Sequence, residues 1–179
     1  YSVDQLTIIA RQMNTLEKLI LGVSVNCAMQ PAECGRLETG DFYKVHPETG
    51  EAGNWILFDR PKTSEYGEWI LWDEVAALVQ WGISRAKAIG STTLIVQDNG
   101  QPWYRDDWEN PCAKFGKWWQ GNPTKNDLHT GIVTRLSVEV EGFPRHTVKS
   151  LRKILPNMLR PKFGKEIADL VNARTVDES

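Results

Sequence analysis

Residues 54 to 72 carry the pattern that most narrows the fold. Trp55-Ile-Leu-Phe58 and Glu68-Trp-Ile-Leu-Trp72 are short apolar and aromatic runs, and Lys62-Thr-Ser-Glu-Tyr-Gly67 between them is polar. Such residues suit a pleated, half-buried surface, and a polar connection between two such runs reads as an antiparallel return. Residues 43 to 72 are therefore expected to form a small β-meander.

The rest of the chain keeps a helical period. Val3, Leu6, Ile9, Ala10 and Met13 share one face of a helix over 3–13, and 15–29 reads as a second, more buried helix. Pro31 suits the first turn of a short helix over 31–37. Asp73 is placed to cap a helix over 74–88 that Gly90 ends, with Val75, Leu78, Val79, Ile83 and Ala86 as its apolar stripe. Thr93 to Gln97 reads as a short strand, followed by the turn Asp98-Asn99-Gly100. Asn110-Pro111 starts a helix through Phe115, Trp118 and Trp119. A helix over 147–159 has Pro156 as a kink point, and Gly164 opens a last helix reaching Ala173. The expected fold is mainly α with a small antiparallel β-sheet (α+β), in one domain over residues 1–179.

Composition bounds the function. At 41% hydrophobic and 25% charged residues the profile is that of a globular domain. The longest apolar run, Leu16 to Met29, is broken by Glu17, Lys18 and Asn26 and is too short to span a bilayer. No basic segment followed by an apolar core opens the chain. Cys27, Cys34 and Cys112 form no C-x-x-C pair, so neither a zinc site nor a disulfide framework is expected, and no cofactor; a reducing cytoplasm is the expected setting. The net charge of −2 argues mildly against a nucleic-acid partner, but the charge is segregated. From Phe143 to Lys165 stand seven cations (Arg145, Lys149, Arg152, Lys153, Arg160, Lys162 and Lys165) with no Asp or Glu. Such a stretch is either a solvated face or a phosphate-binding one.

Three blocks bear on the choice. The run from Leu19 to Asp41 places a buried helix before Gln30-x-x-Glu33 and a Leu leading into Gly40-Asp41. Phe58-Asp-Arg-Pro-Lys-Thr63 is followed by Trp69-Ile-Leu-Trp72 and a helix with an acidic start. Thr147-Val-Lys-Ser-Leu-Arg-Lys153 is the third block. In this order they resemble the signature boxes of the tyrosine recombinases, or phage integrases, and the resemblance spans residues 19 to about 160. It sets Gln30 where the family's first catalytic arginine stands, with Glu33 as its companion. It makes Lys62 the β-hairpin lysine, Lys149 the counterpart of the box histidine, and Arg152 the second catalytic arginine. Arg145, His146, Lys153, Arg160 and Lys162 become candidate DNA contacts.

What the resemblance implies is strand breakage by a tyrosine hydroxyl, giving a 3′-phosphotyrosyl link and a free 5′-hydroxyl, then reversal by a second hydroxyl. The partner would be double-stranded DNA, with self-association of the protein on it and neither membrane nor small-molecule cofactor. Arginine suits the work because its planar fork donates two hydrogen bonds to phosphate oxygens and stays charged. A hairpin lysine can hand a proton to the leaving 5′-oxygen.

The chain also departs from the pattern. Gln30 cannot carry charge, Lys149 replaces histidine, and Asn172-Ala173 stands where a Gly-His pair would be sought. Tyr1, Tyr43, Tyr66 and Tyr104 all precede the third box, so none is a credible nucleophile. The resemblance thus implies a catalytic-domain piece without the core-binding domain and the tyrosine segment. Each residue also has a plainer reading: Lys62 as an exposed loop lysine, Gln30-x-x-Glu33 as a helix turn, Lys149 and Arg152 as the polar side of an amphipathic helix, His146 as a surface histidine. Two other functions stay open, a degenerate recombinase fold that binds DNA without cutting it and an aromatic module for carbohydrate or peptide. The eight tryptophans motivate the last, as packing or as a stacking platform.

Overall fold

A computed structural model describes residues 1–60, 65–121 and 131–171. Two helices open the fold, and each is started by a reciprocal cap. In α1 (Val3–Arg11) Ser2 and Gln5 exchange side-chain and backbone bonds of 3.2 and 2.9 Å; in α2 (Thr15–Asn26) Asn14 and Glu17 do the same at 3.0 and 2.7 Å. Each pair satisfies two backbone N–H groups that a helix start otherwise leaves orphaned. The second half of α2 is buried on all sides, from Leu19 to Asn26 apart from Gly22, as its largely apolar run requires.

A short helix α3 (Pro31–Arg36) leads to the sheet of β1 (Phe42–Val45), β2 (Ala52–Arg60) and β3 (Glu65–Ile70). The strands are antiparallel in the order β1-β2-β3, with Trp55 opposite Ile70 and Phe58 opposite Gly67. Asn26 joins the sheet to α2: its amide donates to Ile70 O at 3.2 Å and accepts from Trp72 N at 2.9 Å. This Asn is 3% exposed, and both bonds are the compensation that such burial demands.

Helix α4 (Asp73–Ala88) packs on α2, and the remaining elements are α5 (Ala113–Gln120), α6 (Ile132–Glu139), a 3₁₀ helix (Val148–Lys153) and α7 (Ile154–Val171). One core runs through them, including Leu19, Ile20, Val23, Phe58, Trp69, Val79, Phe115, Trp119, Leu136 and Leu151. The chain is mainly α with a small three-stranded antiparallel sheet.

Several local expectations change. Trp72, not Asp73, is the N-cap of α4, and Asp73 sits in the first turn, where a carboxylate favours the dipole. Residues 93–97 form no strand. They make only isolated bridges at Thr93 and Val96, while Leu94 N donates to Leu37 O at 2.8 Å. Leu94, Ile95 and Val96 are buried because the run passes beneath other elements, and a run buried all round looks like a strand in sequence. Helix α6, rich in β-branched residues, has no counterpart among the sequence expectations. The expected helix over 147–159 divides at Lys153 into the 3₁₀ helix and α7. Pro156 makes no break because it lies in the first turn of α7, where a missing N–H costs least. The break comes at Gly164, with φ 84°.

Candidate nucleic-acid interface

The turn between α2 and α3 is the first part of the site. Ala28 adopts φ 49° with its side chain fully buried, a left-handed conformation that costs an alanine strain. Gln30 follows as the N-cap of α3, half-buried, and its backbone N–H donates to Glu33 Oε2 at 2.6 Å. Glu33 is only 8% exposed. Its other oxygen faces Arg60 Nε at 3.5 Å. Arg60 Nη2 in turn donates to Ala28 O at 3.4 Å, and the guanidinium lies 5.6 Å from the Trp69 ring centre.

Trp69 is itself fixed, donating from Nε1 to Val171 O at 2.9 Å and so tying β3 to the end of α7. Gly67 makes room for it, since a Cβ there would stand 2.0 Å from the indole. Gln30 and Glu33 thus meet through the Gln30 backbone N–H, the helix-turn contact of the plainer reading. Lys62 lies outside the described residues.

The second part is the 3₁₀ helix and the start of α7. Val148, Leu151 and Ile154 are buried and set the helix against α2 and α5. This packing turns Lys149 and Lys153 outward and leaves Arg152 half-buried. Lys149 lies beside Cys112 at the start of α5. Burial raises that thiol's pKa, and the nearby charges of Lys149 and Arg36 oppose the rise. His146 and Lys153 line one open groove of about 410 Å³, with Tyr1, Ser150, Ile154, Asn157 and Met158 along it. The His146 backbone is pinned there, its carbonyl accepting from Tyr1 Oη at 3.1 Å and Trp119 Nε1 at 2.9 Å.

Arg145 is exposed, and its Nη2 donates to Thr134 Oγ1 at 3.3 Å. Arg160 and Lys162 are exposed further along α7. Sequence candidates therefore fall into two groups, one on the α2–α3 turn and one along 145–162, and α2 packs against the elements that carry both.

Most tryptophans serve packing. Trp119 is fully buried and Trp69 is 5% exposed. Trp103, Trp118 and Trp119 form a chain of tilted and edge contacts with Phe115 at ring separations of 5.2 to 5.7 Å. Trp72 and Trp81 are exposed. His46 sits in a polar turn yet is 2% exposed, because its Nδ1 accepts from the backbone of Glu48 and Thr49. No group of three or more His, Cys, Asp or Glu among the described residues is placed to hold a metal ion. No helix among them is long and apolar enough to cross a membrane.

Arg60 is the residue that motif reading missed. The signal was present: Ile56, Phe58 and Arg60 alternate on β2, so a cation occupies a core-facing position of an apolar strand.

Comparison with known proteins places the fold. No protein-family model and no curated protein matches the sequence. Solved structures do. The lambda integrase catalytic core superposes with a TM-score of 0.60 over 99% of this chain and 92% of that one, at 12% identity. XerA recombinase gives 0.65 over 98% of this chain and 54% of its own, at 12% identity. The XerH site-specific recombinase bound to a palindromic difH substrate gives 0.64 over 96% and 44%, at 16% identity. The chain spans about half the length of lambda integrase chains solved as a tetramer on a Holliday junction (47%) and bound to DNA (54%). The architecture of this chain is the tyrosine-recombinase catalytic-domain fold.

Proposed function

We propose that this chain is the catalytic-domain part of a site-specific DNA recombinase and that it grips duplex DNA through its phosphates. One observation carries the reading. In a recombinase fold, the segment with seven cations and no anion runs from just before the 3₁₀ helix into α7, with Lys149, Lys153, Arg160 and Lys162 exposed. Segregation of this kind makes a local positive field that the net charge of −2 conceals.

In this reading Arg152 and Lys149 neutralise charge developing on the scissile phosphate, Arg152 as a fork and Lys149 as a point charge. Lys62 delivers the proton to the departing 5′-oxygen. In the family's reaction a tyrosine hydroxyl, for which this sequence shows no credible candidate, gives up its proton and forms the 3′-phosphotyrosyl bond as the bond to that oxygen breaks, and the reverse step restores the diester. Arg145, His146 and the cations of α7 hold the flanking backbone. The solved neighbours include a tetramer on a Holliday junction and dimers on a core site, which supports self-association on DNA for this chain as well. We place all of residues 1–179 in one such domain, acting in the cytoplasm.

A second reading has its own support: Gln30 leaves the first arginine position neutral, as expected of a recombinase fold that binds DNA without cutting it. Fluorescence anisotropy with a labelled duplex of arbitrary sequence tests what the two share. Binding at low salt that unlabelled duplex competes away is expected. No binding, together with retention on a carbohydrate or peptide array, would transfer the assignment to an aromatic binding module.

A further inference from the structure

Gripping phosphates leaves two exposed apolar surfaces of this chain without a use. The first is the outer face of the sheet. Residues two apart on a strand share a face, so Trp55, Leu57 and Asp59 of β2 lie on the side away from the core-facing Ile56, Phe58 and Arg60. On that outer side Trp55 stands between Tyr43 and Ile70, Leu57 beside Glu68, and Asp59 beside Tyr66. Tyr43, Tyr66 and Ile70 are 37 to 54% exposed. The second surface is the end of α7, where Phe163, Ile167 and Leu170 are 41 to 59% exposed. Past the break at Gly164, Ala168 and Asp169 are buried, and Ile167 and Leu170, one turn apart, face solvent. We propose that the sheet face of one copy receives the α7 end of a second copy; this names the surfaces of the self-association proposed above and rests on that reading for its setting on DNA.

The two surfaces carry opposite charge. A groove of about 400 Å³ on the sheet side is lined by Glu38, Asp41 and Asp59 together with Tyr43 and Tyr66, and the cation on it, Arg36, is already paired with Asp106. Within residues 160–171, Arg160, Lys162 and Lys165 are exposed against one exposed acid, Glu166. Opposite fields steer two such surfaces together and fix their register, while the apolar groups between them are buried on contact.

The sheet face also has the makings of a docking centre. Tyrosine and tryptophan are the residue types that anchor interfaces, and here acids stand around them. The face is held in shape: Trp55 packs edge-on against His46 at 5.0 Å between ring centres, and His46 Nε2 lies 3.2 Å from Glu68 Oε2. A surface fixed before docking loses less entropy on binding.

One copy cannot satisfy both surfaces by itself. Trp69 points to the inward side of β3, where its indole donates to Val171 O at the end of α7. The α7 end therefore lies on the inner side of the sheet, whereas Tyr66, Glu68 and Ile70 lie on the outer side. The contact is head-to-tail, between different patches of two copies. Lys149 and Lys153 belong to neither patch, so a docked copy can still hold DNA.

The test is sedimentation velocity of the full 179-residue chain over a concentration series, alone and with a duplex. Wild type, Ile70→Ser, Leu170→Ser and an equal mixture of the two variants are compared, with a thermal melt of each. Both positions are exposed, so melts like wild type are expected. Wild type should associate reversibly, and less as salt rises. Each variant alone should associate at least about tenfold more weakly. The mixture should recover a dimer that grows no further, because one variant keeps a working α7 end and the other a working sheet face. Variants that associate like wild type, or a mixture as weak as its components, overturn the proposal. A variant that melts early is replaced by Tyr66→Ser on the sheet or Phe163→Ser on α7, with the same outcomes deciding. Wild type that binds duplex yet stays monomeric, alone and on the duplex, overturns the proposal and leaves the DNA reading intact. Loss in each variant and recovery in the mixture, without salt-dependent duplex binding by wild type, supports the contact between copies and overturns the DNA reading instead.

Discussion

Leu151→Ala separates what holds the basic helix from what the helix presents. Leu151 is fully buried at the junction of the 3₁₀ helix with α2 and α5, between Lys149 and Arg152. Losing three buried carbons costs about 2.4 kcal/mol in transfer free energy at about 0.8 per methylene. The cavity left behind adds to this, and Leu→Ala changes at buried sites cost about 2–5 kcal/mol in all. A loss of about 3 kcal/mol is expected, or a fall in Tm of roughly 6–12 °C for a domain of this size. Urea unfolding followed by tryptophan fluorescence measures it, with Lys149→Ala as the control. That exposed lysine should change stability by no more than about 0.5 kcal/mol. A loss below about 1 kcal/mol for Leu151→Ala would show that the 3₁₀ helix is not seated on the core, and the orientation of Lys149 and Arg152 would fall with it.

Two further outcomes follow from the packing. Gly35→Ala should destabilise strongly, by about 2 kcal/mol or more, because a Cβ there would stand 2.2 Å from Tyr104 Cβ; urea unfolding showing a change under about 0.5 kcal/mol would refute that close approach. Cys27 and Cys34 should resist alkylation at pH 8 in the folded protein: burial pushes the Cys34 thiol up to about 12 and that of Cys27 well above its ordinary value, so the reactive thiolate is scarce. Mass spectrometry after iodoacetamide treatment checks this, and modification of either residue without denaturant would contradict it.

The sequence was most legible where one physical rule acts alone. The α2 run from Leu19 to Asn26 is almost wholly apolar and is buried throughout, save Gly22, and the aromatic pair of runs around residues 55 and 69 became β2 and β3. Reading failed where two rules compete. Thr93 to Gln97 has strand composition, but among the described residues it finds only isolated bridges and no paired strand. Helix α6 carries Ile132, Val133, Thr134 and Val138, whose branching favours strands until tertiary burial overrides it.

At the site, Gln30 and Glu33 meet because both belong to one helical turn, through a backbone N–H that tests neither side chain's expected role. Their spacing says nothing of Arg60, whose link to Glu33 depends on how β2 lies across the α2–α3 turn. Nor does a run of cations reveal its directions. Packing of Val148, Leu151 and Ile154 exposes Lys149 and Lys153, while Arg145 donates to Thr134.

The central claim is that the cations of the 3₁₀ helix bind DNA phosphates. The direct measurement is the dependence of duplex affinity on salt for wild type, Arg152→Ala and Lys149→Ala, at temperatures where all three are folded. Released counterions make log K fall linearly with log salt, and removing one phosphate-binding cation should reduce the magnitude of that slope by about one. Both substitutions should do so for every duplex sequence tried, since phosphates carry no base identity. Slopes equal to wild type in two folded variants would show that the basic helix is a solvated face and that this chain does not hold DNA there.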